Sequence, residues 1–229
     1  QPLPEGAVAG AGVSALMFDR EHILWVASTR GLLRLDPGSA RFLHYRHDRG
    51  DRQGLADNYV LSLFQDGTGT LWAGTWGNGV SRTDLGSGGF GFYNASDDGL
   101  LRLGDAKVYG ISSDTPGVLW LATREGGINR LDLARQEVKV FRHVPGDPSS
   151  LATDNTLVSL PDGDGGLWVG SDMGLGRLDA QGRYRAVPLP AQAGNAVIYC
   201  IYRRPGDDGL WLCSRSGLYR LDPASGRFD

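Results

Sequence analysis

The sequence is poor in the residues that metal and thiol chemistry require. Among 229 residues there are two cysteines, Cys200 and Cys213, and four histidines. The histidines are His22, His44, His47 and His143. None of them clusters with the cysteines at a spacing typical of metal ligands. The sequence therefore indicates no metal site and no cofactor, although the cysteine count alone does not decide the cellular compartment.

Two further absences limit the partners. No apolar run approaches the roughly 20 residues that a membrane-spanning helix needs, and no signal peptide is evident. The first residue is Gln1 rather than Met, which leaves open a mature or excised exported domain. The net charge is −3, so we expect no strongly basic surface for an anionic membrane and no nucleic-acid partner.

Glycine, by contrast, is abundant. The chain has 35 glycines, about twice the typical frequency of roughly 7 %. Abundant glycine without low complexity indicates many turns, and many turns indicate short strands. No helical periodicity longer than two turns occurs along the sequence.

A Leu-Trp pair recurs at a regular interval. It opens the segments LWVASTRGLLRLD, LWAGTWGNGVSRTD, LWLATREGGINRLD, LWVGSDMGLGRLD and LWLCSRSGLYRLD. Its tryptophans lie 47, 48, 48 and 43 residues apart, at Trp25, Trp72, Trp120, Trp168 and Trp211. Trp76 alone lies outside this register. Five units of about 46 residues therefore account for nearly the whole chain.

Each unit has the pattern of a propeller blade. A β-rich run leads through a Gly/Asp turn to the Leu-Trp strand, a third strand and, in most units, a fourth. Four short strands repeated about every 40–50 residues are typical of a β-propeller, because one such sheet buries its faces only against neighbouring blades. The sequence therefore predicts an all-β protein: a single β-propeller domain over residues 1–229, built of five four-stranded antiparallel blades.

The repeats are predicted at approximately 13–55, 56–103, 104–151, 152–194 and 195–229, with 1–12 as the tail of an outer strand. The innermost strands are expected to be apolar on both faces, as in VLSLF (60–64) and VIYCIY (197–202). The blade tryptophans are expected to fill the space between sheets. Either the N-terminal residues complete the last blade and close a five-bladed ring, or the chain is part of a larger propeller. A start and an end inside strands favour the second interpretation.

The second unit, LADNYVLSLFQDGTGTLWAGTWGNGVSRTD, and the fourth, LATDNTLVSLPDGDGGLWVGSDMGLGRLD, resemble the two-component regulator propeller repeat. The other three units resemble it more loosely, and the chain has fewer units than the longer sensors of that family. The resemblance implies the extracytoplasmic input region of an inner-membrane signalling protein, facing the periplasm or the cell exterior. It also implies a membrane-linked output domain outside this chain, of the histidine kinase, hybrid two-component or diguanylate cyclase type.

Candidate ligand-binding residues follow from the loops of one propeller face. The loop before each innermost strand and the turn between the second and third strands lie on the same face, around the axis. The residues predicted nearest the axis are Asn58, Tyr59, Lys107, Asn155 and Asn195. Those predicted farther out include Arg30, Trp76, Asn78, Arg124 and Arg215. The sequences of these turns vary between units while the residues that flank them do not, which favours a role in ligand recognition. Trp76 is predicted to provide a stacking surface for a sugar ring or another flat ligand.

Structural explanations compete at several of these positions. Asn and Asp before a strand often cap a turn, and turn arginines are often solvated. Asp162 and Asp164 suggest calcium, but six or more oxygen ligands are not visible and hairpin turn chemistry explains them. Cys200 and Cys213 lie on neighbouring strands of the fifth unit, where an exported protein permits a disulfide. Two buried free thiols are nevertheless expected, because cross-strand geometry is restrictive.

The leading functional hypothesis is a non-catalytic sensor propeller that binds an unknown small molecule or glycan on the axial face, or that forms a homodimer. No histidine and no Gly-x-Ser-x-Gly elbow lies in the axial loops, so no catalytic residue is predicted. The alternative is a protein-interaction scaffold without a small ligand. A polysaccharide lyase or hydrolase is a third hypothesis, since some propellers are enzymes.

Overall fold

The repeats fold into five antiparallel sheets arranged as the blades of a β-propeller. A computed structural model describes residues 10–39, 41–48, 54–84, 90–95, 101–193 and 197–229. In each blade the strands pair in chain order from the innermost strand outward. Four sheets have four strands, and the fifth has three strands and an isolated bridge between Leu221 and Phe228 in the place of a fourth.

The strand bounds repeat from blade to blade. Blade one contains β1 (Val13–Phe18), β2 (Leu24–Ser28), β3 (Gly31–Asp36) and β4 (Arg41–Tyr45). Blade two contains β5 (Val60–Gln65), β6 (Thr70–Thr75), β7 (Val80–Asp84) and β8 (Gly91–Tyr93). Blade three contains β9 (Val108–Ser112), β10 (Val118–Thr123), β11 (Ile128–Asp132) and β12 (Glu137–Phe141). Blade four contains β13 (Thr156–Pro161), β14 (Leu167–Ser171), β15 (Gly174–Leu178) and β16 (Tyr184–Val187), followed by a 3₁₀ turn at Ala191–Ala193. Blade five contains β17 (Ile198–Arg203), β18 (Leu210–Ser214) and β19 (Gly217–Leu221).

Apolar cores lie between successive blades. Trp25 packs with Val60 and Leu71 between blades one and two, and Trp72 packs with Val108 and Leu119 between blades two and three. Corresponding clusters join blades three and four and blades four and five. The predicted role of the blade tryptophans as packing residues between sheets is therefore confirmed by Trp25 and Trp72.

A buried aspartate holds the blade tryptophan in the first two blades. The indole N–H of Trp25 donates to Asp19 Oδ2 at 2.9 Å, and that of Trp72 donates to Asp66 Oδ2 at 2.8 Å. Each aspartate lies six residues before its tryptophan and is almost fully buried. Because a buried indole N–H is costly without an acceptor, the acidic turn is part of the packing unit.

The innermost strands of the two terminal blades differ from this pattern. Leu16 and Phe18 of β1 are 65 % and 69 % exposed, and Tyr199 and Tyr202 of β17 are 55 % and 54 % exposed. The prediction of burial on both faces is therefore wrong for Tyr199 and Tyr202. The physical reason is that, among the described residues, every apolar cluster between blades joins consecutive blades and none joins the first to the fifth.

The cysteines are bonded to each other. Cys200 of β17 lies directly opposite Cys213 of β18, with a Cα–Cα distance of 4.9 Å, and the two form a disulfide. The prediction of free thiols is therefore wrong. A register shift between Ile198 and Cys200 brings the two side chains face to face, and the spacing of the cysteines along the sequence does not show this shift.

Tyr184 fills the space between blades three and four. It packs in the same apolar cluster as Ile128 and Leu167. A Cβ atom at Gly176 would come within 2.1 Å of the tyrosine hydroxyl, so a glycine is required beneath the ring. Burial raises the pKa of Tyr184 to about 12.

We expect Tyr184 to make the fold sensitive to alkali. In the unfolded chain it ionises near pH 10, whereas in the folded chain it stays neutral until about pH 12. Stability present below pH 10 is therefore lost as the pH rises through this window, by about 2–3 kcal/mol. Urea unfolding at several pH values checks this, and Tyr184→Phe should remove that part of the loss. An identical alkaline loss in Tyr184→Phe would contradict the assignment.

Candidate functional site

The axial face is built on one backbone hydrogen bond that recurs in every blade. The residue after the second strand donates its N–H to the carbonyl of the residue before or at the start of the innermost strand. The five bonds are Thr29 to Gly12 (3.0 Å), Trp76 to Tyr59 (2.9 Å), Arg124 to Lys107 (3.1 Å), Asp172 to Asn155 (3.4 Å) and Arg215 to Val197 (3.3 Å). The backbone is therefore constant while the side chains it presents differ in each blade.

This contrast separates packing from recognition. The threonine or serine that ends the second strand bonds back into its own turn in all five blades: Ser28, Thr75, Thr123, Ser171 and Ser214. The pairs presented beside it are instead aromatic in blade two, cationic in blade three, and an amide with an acid in blade four. Five equivalent positions with five different chemistries form a surface that packing alone does not require.

Blades two and three bring five of these side chains together. The Tyr59 and Trp76 rings stack at 5.3 Å with an interplanar angle of 13°, and Tyr109 meets Trp76 edge-on at 6.2 Å. Lys107 Nζ lies 5.5 Å and Arg124 Cζ 5.4 Å from the centre of the Trp76 ring. We call these five residues the aromatic–cation cluster. All five are half-buried, and the cations gain attraction from the ring face.

Tyr109 was missed by the sequence interpretation. In every blade the register shifts at the second residue of the innermost strand. This bulge leaves the residue without a partner on the second strand, and bulges often redirect a side chain beside a functional site. Burial raises the pKa of Tyr109, outweighing Arg124, which lowers it. Its hydroxyl is therefore a neutral donor. The equivalent position is also a tyrosine, Tyr199, in blade five, so aligning the five units would not have singled out Tyr109.

Blade four supplies buried hydrogen-bond acceptors to the same face. Asn155 Nδ2 donates to Asp172 Oδ2 at 2.9 Å. The other oxygens of this pair, Asn155 Oδ1 and Asp172 Oδ1, are buried and accept no hydrogen bond from the described residues. Unsatisfied buried acceptors are uncommon and often mark a functional position.

The other predicted site residues lie outside this arrangement. Asn58 Oδ1 accepts a hydrogen bond from the backbone N–H of His47 at 2.9 Å. In blade four Asp154 Oδ1 accepts from the backbone N–H of His143, so this contact is part of the repeat. Asn78 Nδ2 donates to the carbonyl of Ala56 at 2.9 Å. Arg30 and Arg215 lie on the face as exposed side chains. Asn195 lies outside the described residues.

Histidine and acidic residues make structural contacts. Ring nitrogens of His44, His47 and His143 lie 2.7–2.9 Å from the backbone carbonyls of Arg30, Leu55 and Leu151. Asp162 pairs with Arg177 at 2.7 Å, and Asp164 pairs with the same arginine. In the part of the chain that the structure describes, no group of three or more His, Cys, Asp or Glu residues is placed to hold a metal ion. In that same part, no helix is long and apolar enough to cross a membrane.

Comparison with known proteins supports the repeat. Residues 54–77, which run from the loop before blade two through Trp76, match the two component regulator propeller family. The match covers one repeat, in blade two. The resemblance drawn from the second unit is confirmed by this match, and the aromatic pair of the site, Tyr59 and Trp76, lies inside it. No curated protein sequence matches the chain.

Solved structures share the fold over the whole chain. The extracellular domain of BT3049 from B. thetaiotaomicron, named as a hybrid two component system, has a TM-score of 0.83 at 21 % identity. The match covers 100 % of this chain and 31 % of that one. The extracellular domain of BT4673 from the same organism, named as a one component system, has a TM-score of 0.70 at 22 % identity, covering 95 % and 28 %. The GH74 enzyme of Niastella koreensis has a TM-score of 0.71 at 14 % identity, covering 98 % and 38 %.

These identities show the propeller fold. The chain spans less than a third of the length of the two sensor domains it matches. Signalling proteins and a glycoside hydrolase share this architecture, so function rests on the residues of the axial face.

Proposed function

We propose that this propeller is a ligand-sensing input domain that binds a small polyhydroxylated molecule on its axial face. The observation that carries the proposal is the aromatic–cation cluster on blades two and three. It is accompanied by the unsatisfied acceptor oxygens of Asn155 and Asp172 on blade four. Packing does not need this combination, since the corresponding positions in blade one are Gly12 and Thr29.

The chemistry of the face fits a sugar. Aromatic side chains provide an apolar surface for a ring, Lys107 and Arg124 donate hydrogen bonds, and the buried oxygens of blade four accept them from hydroxyl groups. Ligand sites commonly combine an apolar lining with a few placed polar groups. Tyr59 covers one face of Trp76, so a ligand contacts the cluster as a unit rather than the indole alone.

The setting proposed for this domain is outside the cytoplasm, as part of an inner-membrane signalling protein whose output domain lies beyond this chain. Two observations support it: the structural likeness to extracellular domains of one and two component systems, and the disulfide between Cys200 and Cys213. Disulfides persist in oxidising compartments such as the periplasm. A kinase and a cyclase are both compatible outputs.

We expect Trp76→Ala to weaken saccharide binding by at least about tenfold, because an aromatic residue at the centre of a site commonly contributes most of the affinity. The experiment screens neutral mono- and disaccharides by thermal shift and then titrates those that bind by calorimetry. Lys107→Gln should weaken binding as well. Arg215→Gln, an exposed residue of the same face outside the cluster, is the matched control and should bind normally.

Two outcomes would count against the sensing proposal. Either no saccharide binds, or Trp76→Ala and the wild-type chain bind equally well.

Stable association with a protein partner without any small ligand would favour the scaffold alternative. The exposed Phe18 and Tyr199 faces give that alternative its physical basis and make a homodimer testable by light scattering. We also propose that the face is non-catalytic, since the histidine rings with assigned contacts bind backbone carbonyls.

A further inference from the structure

A second cleft lies between blades three and four, at the end of the sheets opposite the axial face. It encloses about 430 Å³. One wall is the outer part of blade three, with Trp120, Phe141 and the cations Arg130 and Lys139. The facing wall consists of turns of blade four built from small residues: Gly165, Gly166, Ala180 and Gly182. A Cβ atom at Gly182 would come within 2.5 Å of the Phe141 ring, so a glycine is needed where the two walls meet.

In other blades a carboxylate lies next to the blade tryptophan. The carboxylates of Asp19 and Asp66 accept the indole N–H of the blade tryptophan in blades one and two. In blade four the equivalent Asp162 accepts from Arg177 Nε at 2.7 Å, while the buried indole N–H of Trp168 has no partner among the described residues. That arginine lies over the ring of Trp168, with Cζ 5.8 Å from the ring centre. A carboxylate beside the tryptophan and its cross-strand arginine is therefore a recurrent part of the blade.

In blade three Arg130 has a carboxylate partner in Asp132, but no aspartate bonds the blade tryptophan among the described residues. Asp114 lies six residues before Trp120, as the repeat requires, yet its side chain is exposed and accepts from Thr115 Oγ1 at 3.1 Å. Trp120 is only half-buried, and its indole N–H has no acceptor among the described residues. Arg130 lies over the Trp120 ring at 5.9 Å, as Arg177 does over Trp168.

The cleft lining carries as many carboxylates (Asp114, Glu137 and Asp179) as cations (Arg130, Arg135 and Lys139), but two of the cations lie side by side. Arg130 of β11 lies directly opposite Lys139 of β12 in the strand register. Like charges placed opposite each other are destabilising. Asp132 lies 3.4 Å from Arg130 and 3.9 Å from Arg135, so one carboxylate is shared by two guanidinium groups. Lys139 Nζ contacts the Phe141 ring at 4.8 Å and has no carboxylate partner among the described residues.

We infer that this cleft, which we call the carboxylate cleft, binds the carboxylate of a small organic acid in the place that an aspartate takes in the other blades. The ligand carboxylate accepts from the Trp120 indole N–H and from the guanidinium of Arg130, and its charge offsets that of Lys139. The site is distinct from the axial face, and the inference does not depend on the proposed function.

The dimensions and walls of the cleft narrow the ligand class. A volume of about 430 Å³ lies within the usual range of small-molecule sites, roughly 300–1,000 Å³. The Trp120 and Phe141 rings form an apolar wall beside the charged groups. A hydroxylated ring that carries a carboxylate, such as a sugar acid, fits both features, whereas a bare inorganic anion leaves the wall uncovered.

The test observes the indole N–H of Trp120 directly by NMR. The isotope-labelled chain is titrated with D-glucuronate, with acetate as the bare carboxylate and D-glucose as the neutral ring, at constant ionic strength. The Trp120 resonance is assigned with Trp120→Phe. We expect glucuronate to move this resonance in a saturable manner, acetate to move it with lower affinity, and glucose to leave it in place. The Trp72 resonance should not move, since Asp66 already holds that indole.

Variants then assign the contacts. Arg130→Gln should weaken glucuronate binding by about tenfold, because a hydrogen bond to a charged group is lost. Lys139→Gln should weaken it as well, and it provides a second test if the first variant is unstable. The matched control is Arg82→Gln, the equivalent arginine of blade two, which should bind glucuronate normally. In Trp76→Ala the Trp120 resonance should shift with glucuronate as it does in the wild-type chain, whatever happens at the axial face, which keeps failure of the axial proposal separate from failure of this one.

Three results would overturn the inference. The first is no shift of the Trp120 resonance at any glucuronate concentration. The second is a shift that survives both Arg130→Gln and Lys139→Gln unchanged. The third is a displacement of the Trp120 resonance by Asp114→Ala as large as that of the Trp72 resonance by Asp66→Ala, because Asp114 would then already occupy the carboxylate position.

Discussion

Replacing Asp66 with alanine is expected to lower the free energy of unfolding by about 2–4 kcal/mol. Asp66 is only 4 % exposed. Its carboxylate accepts from the indole N–H of Trp72, the backbone N–H groups of Thr68 and Thr70, and the Thr68 hydroxyl, at 2.6–3.2 Å. Removing it leaves a fully buried indole N–H without an acceptor at the interface of blades two and three. Chemical denaturation of the variant and the wild-type chain measures the difference.

The chain provides a matched control for this substitution. Asp114 occupies the same place in the repeat, six residues before Trp120, but is exposed and makes no bond to the tryptophan. Asp114→Ala should therefore change the free energy of unfolding by no more than about 0.5 kcal/mol. Equal losses in the two variants would show that the acidic turn acts through turn formation rather than through the indole.

Asp66 also predicts an acid limit to stability. Burial raises the pKa of its carboxyl, but the hydrogen bonds from Thr68, Trp72 and Thr70 together hold it below the ordinary value. A carboxylate with a lowered pKa contributes stability that is present above its unfolded pKa, near 4, and is lost as the pH falls through the folded pKa. Asp66→Ala should therefore show a weaker loss of stability below pH 4 than the wild-type chain.

The spacing of the tryptophans was sufficient to predict the architecture. A packing unit that recurs every 43–48 residues needs neighbours of the same kind, and the strands and the contacts between blades follow from this. The same periodicity does not reveal which unit lacks a neighbour. Tyr199 and Tyr202 occupy the positions that Leu61 and Phe64 take in blade two, where both are half-buried. They are exposed because no described apolar cluster covers that face of blade five.

The candidate site was only partly predictable, for a related reason. Tyr59, Trp76, Lys107 and Arg124 were identified because their turns break the repeat. Tyr109 was missed because it looks like an ordinary strand residue until the bulge is known. Asn58 was included because an amide before a strand is compatible with ligand recognition and equally with a structural hydrogen bond to the backbone. The hydrogen bond from the His47 backbone N–H shows that its role is structural. Comparing one blade with another was more informative than the residue type.

Breaking the disulfide is expected to have an effect comparable to that of Asp66→Ala. Cys200 and Cys213 are 13 residues apart, and a crosslink that closes a loop of about 15 residues stabilises by about 3 kcal/mol by restricting the unfolded chain. At about 2–4 °C per kcal/mol for a domain of this size, reduction should lower the melting temperature by about 6–12 °C. Thermal unfolding of periplasmically expressed protein, with and without dithiothreitol, measures the shift.

The double variant Cys200→Ser/Cys213→Ser is the control, because it should melt at the lower temperature and be insensitive to dithiothreitol. Two reactive thiols in the purified, unreduced chain, or the same melting temperature with and without reductant, would contradict the crosslink.

The result also bears on the cellular compartment of the chain. Among the described residues blade five has three strands and an exposed apolar face, so we expect it to depend on the crosslink more than the inner blades would. A fold that needs this bond is best suited to an oxidising compartment.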